Sequence, residues 1–364
     1  MKAVTGKETQ GAESARTTVG RGAKIAALFN GRAKRVSPHV VRMFAKALPD
    51  ALVLVSEDFD QAERHAALLA EERPDVIFSG GGDGAAQRLL NMLSRRLPED
   101  VPLPHLGVLR LGTGNAWSRT VGSPRYPEIV ELLPKLAWPI PTRRFNLVEV
   151  EDTLCPFAGV GWDALVLNDY QKNLDRRSGQ LFGSRLSTRL HKGLGGYLYA
   201  LARHTVPTLL TEADQPWATL RRNGDAEVYT VNEAGEPVPW TGGDVLYDGP
   251  VSVCAAASIP QYGFGFRAFP FADLKPGFLH LRVYDRPVLE ALGRAGVLWA
   301  GVHPMPGMHD WLVKSARMTF TRPLPFQIGG DARGERTVLD VRLGARTVDV
   351  VDWEAALAEA TAAA

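Results

Sequence analysis

Cysteine is scarce in this sequence, and so are long apolar runs and any excess of one charge. Only two cysteines, Cys155 and Cys254, occur among 364 residues. Both sit in apolar surroundings, which argues against a disulfide framework and predicts core thiols in a reducing compartment. No uninterrupted apolar stretch reaches the roughly 18 residues that a bilayer-spanning helix needs. A formal net charge of +2 gives no field that would favour nucleic acid or general adsorption to membranes. Residues 1–22 are polar and lack the apolar centre of a signal peptide, so they read as a disordered tail on a cytoplasmic protein. Two nucleotide-handling motifs are missing as well: there is no G-x-x-x-x-G-K-[ST] loop and no H-R-D with D-F-G, which excludes P-loop enzymes and protein kinases. His303 and His309 lack metal-ligand spacing and read as turn or core residues.

What is present calls for two domains, because the chain is longer than one hydrophobic core usually serves. "KIAALFN", "ALVLVS", "DVIFSG" and "LGVLRL" are apolar strands without alternation. They are separated by "SPHVVRMFAKAL", "DQAERHAALLAEE" and "AAQRLLNMLSRRL", which have helical spacing. Ser37 is the expected N-cap of the first helix and Pro38 its first residue. Unalternating strands between amphipathic helices predict an α/β domain with a parallel sheet, covered on both faces, over residues 23–140. Beyond the Pro-rich "LLPKLAWPIPTRR", taken as the connection, short Val-, Thr- and aromatic-rich strands predict a mostly antiparallel β-sandwich over residues 141–350. One helical patch, "GGYLYALARHT", interrupts it. Residues 351–364 are Ala-rich and form a marginal helix unless they dock on something.

The chemistry concentrates in "GGGDG" and "GTGN", each at the end of an apolar strand. Such a turn leading into a helix presents backbone N–H groups at the positive end of the helix dipole, a place for phosphate. Ligands bind α/β sheets at this carboxyl edge. "GGGDGA" nominally contains G-x-G-x-x-A, but no acidic residue ends a next strand about 20 residues on, so a dehydrogenase is a weak reading. Asp83 stands out. A carboxylate about 4 Å from a phosphate charge costs roughly 4 kcal/mol at an effective dielectric of 20, so it must be tied down or bridged. It could cap the helix that begins near Ala85, accept from loop amides, or stand behind a Mg²⁺ ion.

A strand followed by "GGGDG", then "LGTGN" after the next strand, then "AGVGWDA" early in the β-rich half, resembles the diacylglycerol kinase catalytic-domain family. That family includes bacterial lipid kinases and sphingosine kinases and is related to NAD kinases. The likeness extends to "YGFGFRAFPFADLKPGFLHLRV" and to "FQIGGDARGER", which falls where the family carries D-G-E. The resemblance implies an NAD kinase-like α/β domain and ATP-dependent phosphorylation of a lipid hydroxyl, with Mg²⁺ arriving with the nucleotide. It places the nucleotide between the domains, its phosphates against Gly81, Gly82, Asp83 and Gly84 and against Gly112, Thr113, Gly114 and Asn115. Ser56 stands where the family often has a threonine touching the nucleotide; on its own it reads as a loop serine or helix cap. Asn30 is either a turn residue or a phosphate neighbour.

Phosphoryl transfer needs positioning, charge neutralisation and an acceptor for the hydroxyl proton. Gapless alignment of "QIGGDA" puts Asp331 on the family's glutamate and makes it the expected catalytic base; a gapped alignment promotes Glu335, and a plain hairpin-turn role is the alternative. Several positions depart from the family. Ala85, Gln87, Arg88, Arg110 and Ala116 differ from its usual residues, and Pro276 stands where it has a metal-loop aspartate and cannot ligate Mg²⁺. Arg88 and Arg110 either neutralise phosphate or are surface cations; Asp163 and Arg119 are expected as structural anchors. "GFGFRAFPF" lines either an acyl groove or the sandwich core. The expected partners are a lipid substrate and, transiently, a membrane surface, with a homodimer possible and no nucleic acid. A non-catalytic binding descendant of the fold and an NAD kinase-like enzyme remain the alternatives.

Overall fold

The computed structural model describes residues 23–136, 140–162, 164 and 215–362. The patch "GGYLYALARHT" and Asp163 lie outside the described residues. The chain divides into two compact units, one of residues 23–147 with 344–362 and one of Val148–Leu343.

The first unit begins β1 (Ile25–Asn30), α1 (Pro38–Ala47), β2 (Leu52–Ser56), α2 (Phe59–Glu72), β3 (Val76–Gly81), α3 (Asp83–Arg96), β4 (His105–Arg110). These strands pair in parallel in the order β2-β1-β3-β4. β3 is buried at every position, as a strand covered on both faces must be. Ser37 caps α1, accepting from the Val40 N–H, and Pro38 opens the helix. α2 starts a residue earlier than its spacing suggests because Asp58 accepts from the Gln61 N–H at 2.7 Å. Two short helices follow, α4 (Ala116–Thr120) and α5 (Tyr126–Leu132), and then strand β5 (Thr142–Phe145). Right-handed crossovers put α2 and α3 on one face and α1 with α5 on the other.

The second unit carries β6 (Val148–Val150), β7 (Thr153–Cys155), β8 (Phe157–Gly161), β9 (Trp217–Arg222), β10 (Val228–Val231), β11 (Pro237–Pro239), β12 (Val245–Pro250), β13 (Val253–Ala257) and β14 (Leu279–Tyr284). The small helices α6 (Val288–Gly293) and α7 (Ala295–Ala300) precede β15 (Met308–Val313), β16 (Ser315–Ile328) and β17 (Asp331–Leu343). Pairing is antiparallel, in the order β11-β10-β15-β14-β13-β8-β16-β17-β6-β7, with β9 and β12 branching from β16. Both cysteines are buried thiols in this core, neither of them in a disulfide, and burial pushes the Cys155 thiol well up.

The chain then returns to the first unit. β18 (Val348–Val351) lies between β4 and β5, and α8 (Trp353–Ala362) follows it. Trp353 is fully buried and extends a row of rings, Phe29, Phe44 and Phe78, at centroid spacings of 5.6, 5.4 and 6.4 Å. That docking is what a ten-residue Ala-rich helix needs to persist. The unit boundaries thus fall at 147/148 and 343/344, and not at 140 and 350, because "TRRF" and "VDVV" pair with each other and complete the first sheet.

Candidate phosphate site and adjoining cavity

The two glycine turns end neighbouring strands and are joined to each other. Gly82 caps α3 through its backbone alone, and Asp83 opens the helix. The Asp83 side chain does not serve α3. Its Oδ2 accepts from the Ala116 N–H at 2.9 Å and its Oδ1 from the Trp117 N–H at 3.0 Å, so it caps α4 across the gap between the turns. Burial pushes this carboxyl above its ordinary value, while the amides it holds favour the ionised form. The residue is half-buried overall, the carboxyl being its enclosed end.

The backbones of the two turns also touch. A methyl group on Gly112 would overlap the Gly82 Cα and come within 3.1 Å of Asn115 Oδ1, so glycine is required there for the approach. Asn115 adopts a left-handed φ of 54° and folds back on its own loop, accepting from the Gly112 N–H at 3.0 Å and donating to the Gly112 carbonyl at 2.8 Å. Its amide is therefore committed to the turn. Thr113 is exposed at the tip and Gly114 half-buried beside it, while Gly84 lies in the first turn of α3. Since Asp83 occupies the first amides of α4, the N–H groups left for a phosphate are those of the turns themselves.

Cations gather beside the second turn. Burial, and then the like charges of Arg119, Arg35 and Arg125, hold the Arg110 guanidinium below its ordinary value, with Glu128 opposing. This clustering could not be read from the isolated position of Arg110 in the sequence.

Next to the first turn, a cavity of about 350 Å³ opens at the carboxyl ends of β1, β2 and β3. Its lining includes Asn30, Ser56, Glu57, Phe59, Ala85 and Arg88. It lies where β1 and β3, adjacent strands, lead to crossovers running in opposite directions, the usual ligand position in such sheets. Ser56 is buried and its hydroxyl donates to the Phe29 carbonyl at 3.3 Å. Asn30 accepts from the Arg32 N–H at 3.1 Å, so it closes a turn and also faces the cavity.

Asp331 belongs to the second unit. Gly329 and Gly330 have φ of 57° and 88°, a type I′ hairpin for which Asp-Gly and Gly-Gly serve equally. Gly330 donates its N–H to Gln327 Oε1 at 2.8 Å. Asp331 is therefore the first residue of β17 and half-buried, directly after the turn; Glu335 is exposed further along the same strand. Among the described residues, no group of three or more His, Cys, Asp or Glu could hold a metal. Each Asp83 oxygen accepts one backbone amide.

In the aromatic segment "GFGFRAFPF", Phe264 and Phe266 are half-buried and Arg267 is exposed. Phe269 and Phe271 are buried, and the gap beside them, walled by Trp162, Phe266, Tyr284 and Leu298, is about 80 Å³. Ligand pockets begin near roughly 300 Å³, so this gap among the described residues is below ligand size. Sequence reasoning missed one buried cluster. Asp310 accepts from His280 Nε2 at 2.7 Å and from Arg282 Nε at 2.6 Å, linking β15 to β14. Burial alone would raise this carboxyl, but Arg282 and His280 hold it far below the usual range. His303 and His309 have structural partners, the Asn232 carbonyl and Asp285.

Residues 26–140 match the family model described as the diacylglycerol kinase catalytic domain. That stretch is under half of the chain and contains both glycine turns. Two crystal structures from Bacillus anthracis strain Sterne share the fold. One, whose description assigns it provisionally to the diacylglycerol kinases, is 17% identical with a TM-score of 0.60, covering 90% of this chain and 97% of the other. The second, described as a diacylglycerol kinase, is 15% identical with a TM-score of 0.57, covering 90% and 96%. None of the curated proteins matches the chain. At these identities the likeness is one of fold: an α/β unit with a mostly parallel sheet, and an antiparallel β unit.

Proposed function

We propose that the chain is an ATP-dependent kinase that phosphorylates the hydroxyl of a diacylglycerol or a related lipid. The observation that carries this reading is the joined pair of glycine turns: two amide-lined turns at neighbouring strand ends, held together by Asp83 and by the Gly82–Gly112 approach, beside a cavity of ligand size. The nucleotide's phosphates lie against Gly81–Gly84 and Gly112–Asn115, the Gly112 N–H staying with Asn115 Oδ1, and the arginines around Arg110 offset their charge. Asp83 and Asn115 act by holding the turns in shape.

The lipid hydroxyl oxygen forms a bond to the γ-phosphorus as the bond to the β,γ-bridging oxygen breaks, so ADP leaves. The hydroxyl proton passes to the Asp331 carboxylate. Magnesium enters with the nucleotide, and no step is assigned to it. The enzyme works from the cytoplasm and meets its lipid transiently at the membrane surface; no helix among the described residues is long and apolar enough to cross a membrane.

Label transfer from [γ-³²P]ATP to a panel of lipids in mixed micelles, beside NAD without lipid, tests this. Label is expected in a hydroxyl-bearing lipid. ATP binding without transfer selects a non-catalytic member of the fold, and label on NAD selects a soluble acceptor.

A further inference from the structure

We propose that Phe59 is the platform on which the base of the nucleotide stacks, fixing which end of the cavity holds the nucleoside. This rests on the nucleotide reading above and goes beyond it by assigning the orientation of the ligand and a residue that sets affinity for its base.

Phe59 is the first residue of α2 and is 57% exposed, although it lines the cavity. Its place on the helix explains this. Residues 59, 62, 66 and 69 share one face, and along it Ala66 and Leu69 are buried. Phe59 continues that stripe beyond the end of the packed layer, where the cavity takes the place of a core neighbour. Its ring makes no ring contact among the described residues. A lone exposed aromatic on a surface needs no explanation; one set in the wall of a cavity at the ligand edge of a parallel sheet offers a flat apolar face to a flat ligand. Base-on-aromatic stacking suits any purine or pyrimidine, since every base has a π face.

Charge sets the direction. Two carboxylates, Glu57 and Asp58, flank Phe59 at this end of the cavity. Asp58 is committed to capping α2, and Glu57 lies over Gly31 with no hydrogen-bond donor to its carboxylate among the described residues. These anions repel phosphates. Arg32, beside Gly31, also lines the cavity, so this end sets two carboxylates against one cation, whereas the lining at the other end, Ala85 and Arg88, adjoins Gly82–Gly84 and has a cation and no carboxylate. A nucleotide therefore enters with its neutral base on Phe59 and its phosphates toward the first glycine turn.

The test uses the full chain, calorimetric titration with ATP and with inorganic tripolyphosphate, and the fluorescence of 2-aminopurine riboside triphosphate, which is quenched on stacking. Phe59→Ala should weaken ATP binding roughly tenfold, leave tripolyphosphate binding unchanged and abolish the quench; Phe59→Trp should restore both. Stacking is overturned, with the nucleotide reading intact, if Phe59→Ala binds ATP like the wild type with the quench retained, or if wild type binds tripolyphosphate as tightly as ATP. If wild type binds neither, both readings fall.

Discussion

Gly112→Ala is the sharpest test of how the site is held together. The added methyl would meet the Gly82 Cα inside contact distance, with the Gly82 nitrogen and Asn115 Oδ1 each at 3.1 Å, so backbone and not a pliable side chain must yield. Overpacking of this kind costs about 1–3 kcal/mol. Parting the turns also stretches the two amide bonds to Asp83, and loss of a helix cap adds about 1 kcal/mol. A total of about 2–4 kcal/mol corresponds to a fall in Tm of about 5–15 °C for a unit near 150 residues. Gly82→Ala is the control. Its methyl would face only the Gly112 Cα, at 3.3 Å, and its φ of −102° suits any residue, so a shift of a few tenths of an ångström absorbs it. Differential scanning fluorimetry with and without ATP should show Gly112→Ala unstable and no longer stabilised by ATP, and Gly82→Ala close to wild type. Equal behaviour of the two variants, with ATP stabilisation kept in both, would refute the claim that close approach of the turns builds the site.

Three further outcomes are expected. Asp331→Asn should abolish label transfer to lipid while ATP still raises Tm, and Glu335→Gln should transfer at nearly the wild-type rate; the reverse pattern moves the base to Glu335. Trp353→Ala should cost about 3–5 kcal/mol, as for other fully buried rings, seen as earlier denaturant unfolding, even though residue 353 lies outside the family match. Asp310→Ala should destabilise by about 3–5 kcal/mol by leaving Arg282 and His280 buried without their anion. The same cluster sets a pH dependence. Asp310 is depressed from an ordinary 3.8 and His280, through burial, from 6.5, so both support the fold at neutral pH and lose that support as pH falls, His280 from about 6.5 downward and Asp310 at lower pH. Denaturation midpoints measured from pH 8 to 4 should decline in wild type and no less steeply in Asp310→Asn, because Asp310 holds the His280 value up and its own loss of support comes below that range.

The parts of this molecule that local pattern controls were legible. Four unalternating strands, the Ser37 cap and the two glycine turns follow from residues within a few positions of one another. Gly329–Gly330 could likewise be read as a hairpin, which is why Asp331 emerges at a strand start. The rest depends on partners far apart in sequence. Asp83 reaches amides more than thirty residues on, β18 joins β4 and β5 across the whole second unit, and Arg282 meets Asp310 only because two antiparallel strands align them. Burial, too, was hidden: nothing in "SEDFDQ" says that Phe59 faces a cavity.

The return of β18 has a consequence for synthesis. The first sheet is built from both extremities of the described chain, and the strands that leave and re-enter it are bonded where they pass, Gly344 N–H to the Leu147 carbonyl at 2.8 Å. A ribosome delivers the two glycine turns early, yet the flank of β4, which ends at Arg110, stays uncovered until β18, beginning at Val348, has emerged. Completion of the first sheet must therefore wait until the inserted β unit has been made.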